Sequence, residues 1–171
     1  MKTSTRNWTD ILRYRLTGAK RIAIVGIGDE LLPTDRLGML AAQEIRSLNL
    51  PGLKVFLAGT VPETVTGPIR TFCPDNILLL DAADMGINPG TADVLPSETI
   101  GAGLLSTHAL PLSIVIEYLE KETGATVTLL GIQPVINSSP SREPIEDQEL
   151  LAGFIADLTD ILRDAERKSL S

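Results

Sequence analysis

The chain has 171 residues and a net charge of −7, a length that suits one domain with a sizeable core. At 43% hydrophobic and 22% charged residues it has a globular composition, which excludes a largely disordered chain. No purely apolar run exceeds four residues, against the ~20 that a membrane span needs, and a pI near 4.7 without a basic cluster argues against nucleic acid or an anionic membrane as partner.

Trp8, Ile11, Leu12 and Leu16 recur at helical intervals and predict a short amphipathic helix in an N-terminal extension, residues 1–19. A single α/β domain is expected over 20–171. It opens with the apolar run Arg21–Gly26, read as a buried strand. Leu37, Leu40, Ala41, Ile45 and Leu48 then form one stripe of a helix from about Asp35 to Leu48. Pro51-Gly52 is a turn before a second strand, Leu53–Leu57. A weaker helix over Thr64–Phe72 tolerates Pro68 only near its first turn. Asn76–Leu80 is a third buried strand, Thr91–Leu95 a short edge strand, and Pro111–Glu122 a helix that stops before Gly124. Thr126–Ile132 reads as a further strand, and Pro144–Arg163 as the last helix. Helices alternating with doubly buried strands predict a three-layer α/β/α domain around a mostly parallel, mixed sheet of about five strands.

Ligands of open α/β sheets bind outside the carboxyl ends of the strands. The first strand leads into Gly26-Ile-Gly-Asp-Glu-Leu-Leu-Pro-Thr-Asp35. A dinucleotide fingerprint needs a third glycine where Leu31 stands, and no P-loop occurs, so nucleotide binding is disfavoured. Asp35 is either a helix N-cap or a ligand. Asp81, at the tip of the third strand, can be a ligand, a base or a turn-shaping residue, and Asp84 reads as a turn residue. His108, the only histidine, sits in a loop before a helix. Together Asp35, Asp81 and His108 make an O,O,N set suited to a divalent metal such as nickel. The chain contains no H-E-x-x-H helix and no G-x-S-x-G elbow. The single cysteine, Cys73, precedes a strand at the opposite sheet edge, which disfavours a Cys–His dyad and any disulfide framework.

Ile22–Gly38 resembles the opening motif G-x-G-N-x-L-x-x-D-[DE]-x-x-G of the [NiFe]-hydrogenase maturation endopeptidases. Three further blocks resemble the same family in the same order: Leu80–Gly90, Ser106–Leu112 and Leu130-Gly-Ile-Gln-Pro134. The Asp-Ala-x-Asp-x-Gly-x-Asn-Pro-Gly and Thr-His-x-x-Pro-Leu forms are closest to the hydrogenase 3 (formate hydrogenlyase) branch. The resemblance covers roughly residues 20–165.

The resemblance implies an endopeptidase that removes a C-terminal peptide from the precursor of the hydrogenase large subunit after nickel insertion. By matching position, the family's metal-contacting residues fall on Asp35, Asp81 and His108. Nickel is then carried by the substrate precursor and is not expected to be held tightly by the free protein. Asp29 replaces the usual asparagine, Thr34 the usual first acidic residue and Arg36 a small residue, which is expected to reduce the local negative charge. The alternative is a non-catalytic nickel-sensing assembly chaperone using the same ligands. A cytoplasmic location is expected, since residues 1–20 contain no apolar h-region, and the chain is expected to be a monomer. The loops Gly59–Glu63 and Asp84–Gly90 are expected to leave one sheet edge and border a cleft for an extended peptide.

Overall fold

A computed structural model describes residues 7–96 and 111–171. Helix α1 spans Trp8–Arg15, strand β1 Ile22–Ile27, helix α2 Leu37–Ser47 and strand β2 Leu53–Gly59. A 3₁₀ turn at Pro62–Val65 leads into α3, Thr66–Phe72; β3 covers Asn76–Ala82 and β4 Ala92–Leu95. Helix α4 is Leu112–Thr123, β5 Thr126–Ile132 and α5 Pro144–Ser169. The sheet order is β2-β1-β3-β5-β4, parallel except for β4, which pairs antiparallel with β5 at one edge. The mixed three-layer fold read from the sequence is therefore the observed one.

Every residue of β1 is buried, because both faces of this interior strand are covered. Ile22, Ile24, Leu78, Leu80 and Leu130 point to one face and pack with α1, α2 and α5. Ala23, Val25, Ile77, Leu79 and Leu129 point to the other and pack with α3 and α4. Each fully buried leucine or isoleucine contributes about 2 kcal/mol by leaving water.

Helix α1 belongs to the same core: Trp8, Leu12 and Leu16 are buried, and the Trp8 and Phe154 rings lie 5.3 Å apart between centroids. Arg13 reaches across to Asp164 on α5. The Asp164 carboxylate also accepts from Arg167, and these two guanidiniums, Arg167 foremost, hold it below its ordinary value of 3.8. Helix α5 runs six residues past the expected Arg163, to Ser169, because Ala165 is still buried against this core. At its start Glu143 and Glu146 form a capping box.

The connection from β1 to β2 carries α2 on one face, while that from β2 to β3 carries α3 on the other. Chain order thus reverses between β1 and β3. That makes the carboxyl ends of these two strands the topological switch point, where such sheets open a crevice.

Candidate functional site at the β1 and β3 carboxyl ends

The switch point is built on missing side chains. A Cβ on Gly38, in the first turn of α2, would meet the Leu80 carbonyl oxygen at 2.2 Å and that of Ile27 at 2.5 Å. A Cβ on Gly26 would meet Ala42 Cβ at 2.6 Å. Two glycines therefore let α2 lie directly on β1 and β3, with the start of the helix over both strand ends. Gly28 leaves β1 at φ +131°, and a Cβ there would fall 1.8 Å from the Asp35 carbonyl oxygen. Only glycine permits the loop to return this closely over the strand it has just left.

That loop is turned by its own polar groups. Leu31 N donates to Asp29 Oδ1 at 2.9 Å, Leu32 N to Asp29 O at 3.1 Å, and Asp35 N to Leu32 O at 2.9 Å. Asp29 N in turn donates to Asp35 Oδ2 at 2.9 Å. Asp35 is thus not the N-cap of α2. The helix starts at Leu37 after Arg36, and the carboxylate holds the loop closed over the end of β1 instead. Asp29, where the family pattern has asparagine, supplies the turn-forming oxygen equally well.

Asp81 sits in β3 one residue beyond Leu80, the partner of Gly26, and opposite Gly131 of β5. By strand alternation its side chain lies on the same face as Ile77 and Leu79, the face covered by α4. Helix α4 ends where β5 begins, at the amino edge, so its N-terminal end, with Pro111 and Leu112, lies at the carboxyl edge beside the site. The structure brings Asp35 and Asp81 to adjacent strand ends. His108 lies outside the described residues. Cys73 precedes β3 at the amino edge, away from both aspartates, as expected.

Arg36 departs from the expected loss of negative charge. Its guanidinium is buried, with Nε donating to Asp147 Oδ2 at 2.6 Å and Nη2 to the Arg142 carbonyl oxygen at 2.7 Å. Arg142 Nε donates to the other Asp147 oxygen at 2.7 Å. The added positive charge is compensated inside the joint between α2 and α5. Sequence reading misses Asp147, since nothing local marks it. It also leaves unexplained Gln133, whose buried side chain bonds the loop after Asp81, although it stands in one of the four family-like blocks.

A family model described as hydrogenase maturation protease matches residues 40–148. The Hydrogenase 3 maturation protease of Escherichia coli K12 is 32% identical over 124 residues, 71% of this chain and 79% of its own length. The crystal structure of the [NiFe] hydrogenase maturation protease HycI from Thermococcus kodakarensis superposes with a TM-score of 0.77 at 31% identity, over 90% of this chain and 99% of that one. The hydrogenase maturating endopeptidase HybD from Escherichia coli, at 23% identity, shares the fold with a TM-score of 0.58 over 82% of this chain and 93% of its own.

Proposed function

This chain belongs to the hydrogenase maturation protease family, and we propose that it removes a C-terminal peptide from the large-subunit precursor of a [NiFe] hydrogenase after nickel has been inserted. The observation that carries this reading is the placement of Asp35 in the loop closed over the end of β1 and of Asp81 at the end of the neighbouring β3, with Gly38 packed against both strand ends. His108 is taken as the third, nitrogen ligand of the set because of its match to the family's Thr-His-x-x-Pro-Leu block. Two carboxylates and an imidazole leave coordination positions open, so a nickel ion carried by the precursor can be contacted without being extracted. The metal is part of the substrate, and the protein's residues report that it is present.

Two hydrolytic routes suit that arrangement. Precursor-borne nickel can polarise the scissile carbonyl, or it can lower the pKa of a bound water that one of the carboxylates then deprotonates. Action as a monomer in the cytoplasm is part of the same reading. Among the described residues no helix is long and apolar enough to cross a membrane.

The test is incubation of the protein with nickel-loaded and nickel-free precursor, followed by intact-mass spectrometry. A C-terminal truncation of the loaded precursor alone supports the reading. A stable complex with an intact precursor means a nickel-sensing chaperone instead, and overturns it.

A further inference from the structure

The block Leu130–Pro134 takes no part in the chemistry proposed above, yet its glutamine governs the loop that follows Asp81. Gln133 is 2% exposed. Its Oε1 accepts from Met85 N at 2.6 Å, and its Nε2 donates to Asp84 Oδ1 at 3.1 Å and to the Pro134 carbonyl oxygen at 3.2 Å. Its backbone works at the other end of the same loop: Gln133 N donates to Thr91 O at 2.9 Å, and Gly90 N donates to Gln133 O at 2.8 Å. One residue therefore holds both ends of the segment between β3 and β4.

The chemistry of those partners selects glutamine. The Met85 amide donates and the Asp84 side-chain oxygen accepts, so the side chain between them must offer one acceptor and one donor. A core position needing only volume would take leucine or methionine. Gly131, two residues earlier, lets the loop lie flat on β5, since a Cβ there would meet Ala83 Cβ and Met85 Sδ at 3.1 Å and Leu95 Cδ1 at 2.8 Å. Asp84 Oδ1 also accepts from Gly86 N at 3.3 Å, so the bond from Gln133 is transmitted to the middle of the loop. The loop leaves β3 directly after Asp81 and Ala82 and stays at the carboxyl edge until β4 begins opposite Ile132.

We propose that Gln133 is a positioning residue for substrate binding: it fixes residues 83–91 as one wall of the cleft that receives the precursor's extended C-terminal segment. This rests on the protease reading given above. Gln133 touches no reacting atom, so its effect falls on binding and leaves the hydrolytic step nearly untouched.

The test compares wild type, Gln133→Glu, Asp84→Asn and the double variant in cleavage of nickel-loaded precursor, with amide hydrogen exchange at Met85 and Gly90 as an activity-independent readout. Gln133→Glu sets a carboxylate against that of Asp84, and is expected to raise KM about tenfold with kcat within about threefold, and to speed exchange at both amides. Asp84→Asn alone can still accept from Gln133 Nε2 and should bind nearly as wild type. In the double variant the amide introduced at position 84 donates to the carboxylate introduced at position 133. That exchange restores the bond between positions 133 and 84, but it leaves the Pro134 carbonyl oxygen facing a carboxylate and Gly86 N without its acceptor, so KM should recover only in part, to about threefold below that of Gln133→Glu. Unchanged KM in Gln133→Glu, or a double variant no better than Gln133→Glu, overturns the inference while the protease reading stands. A wild-type protein that leaves loaded precursor intact overturns both.

Discussion

Arg36 and Asp147 stand 111 residues apart in the chain and meet as a buried ion pair, Nε to Oδ2 at 2.6 Å. Arg36 follows Asp35 directly, so this pair ties the site loop to the first turn of α5. Such a pair is poor evidence of net stabilisation, because desolvating both ions offsets their attraction, but removing one partner strands the other in the core. Asp147 also receives Arg142, so Asp147→Ala takes the shared carboxylate from two guanidiniums and leaves the buried Arg36 with only the Arg142 carbonyl oxygen. The expected cost is about 3–5 kcal/mol, a fall in Tm of roughly 10 °C for a chain of this size. Replacing Arg36 and Asp147 together by Met and Leu should recover much of that loss. Calorimetry on the three proteins decides the matter, and a thermally neutral Asp147→Ala would show that the pair does not hold this joint.

Gly38 gives a sharper packing test. A methyl group there would lie 2.2 Å and 2.5 Å from two backbone carbonyl oxygens, neither of which belongs to a flexible side chain. Gly38→Ala must therefore lift the start of α2 off β1 and β3, at a cost of about 1–3 kcal/mol or more. Helix propensity alone would favour alanine by about 1 kcal/mol, so the two effects oppose each other and the contact wins. Urea unfolding should show a lower midpoint, accompanied by weakened precursor cleavage, because the carboxylates lose their spacing. A Gly38→Ala protein as stable as wild type would contradict this geometry.

The parts of the fold legible in the sequence are those written in local periodicity. The apolar run of β1 identifies a doubly covered strand, and the stripe from Leu37 to Leu48 identifies a helix with one buried side. What the sequence hides comes from contacts between distant segments. Asp35 looks like an N-cap because it precedes an apolar stripe, yet Gly28 lets the loop double back so that its carboxylate serves Asp29. Arg36 looks like surplus positive charge at the site because Asp147 is far away in sequence. The last turns of α5 persist because α1 packs against them, and an amphipathic stripe does not name its partner.

The acid behaviour of α1 follows from Asp164. Its folded-state pKa is depressed, chiefly by Arg167 and then by Arg13, so the ion pairs contribute above the unfolded value of 3.8 and are lost as pH falls through the lower folded value. Trp8 is the only tryptophan and lies in α1 against Phe154. Its emission should therefore shift toward that of exposed indole below about pH 3.8, ahead of the far-UV circular dichroism of the whole domain. Asp164→Asn should abolish that early step by removing the titrating group. Coincident transitions in wild type would show that α1 does not loosen separately.

Gly59 and Gly86 test whether their loops wall the proposed peptide cleft. Both have positive φ, +60° and +66°, and a Cβ on either meets nothing within 4 Å. A side chain added there enters open space at the carboxyl edge, and its cost is the left-handed backbone, about 1–2 kcal/mol. Gly86→Leu should thus lower Tm by only a few degrees while weakening cleavage about tenfold or more. Gly86→Asn, which tolerates left-handed backbone and is smaller, serves as the control and should retain more activity. Loss of stability and activity in equal proportion would make these ordinary turn glycines.

Asp35 allows the charge of the site to be removed without its architecture. In Asp35→Asn the side-chain carbonyl oxygen can still accept from Asp29 N, the bond that closes the loop over β1. The fold should therefore hold, with a Tm change of about 2 °C or less, as expected of a substitution that keeps its hydrogen bond. An amide is a much weaker ligand than a carboxylate for a divalent ion, and it cannot act as a base. Cleavage of loaded precursor should consequently fall by about a hundredfold or more. Asp81→Asn and His108→Ala, measured beside it, complete the proposed O,O,N set, and a common site predicts that combining any two adds little to the worst single loss. If Asp35→Asn trims loaded precursor at the wild-type rate, the carboxylate is a loop clasp and nothing more.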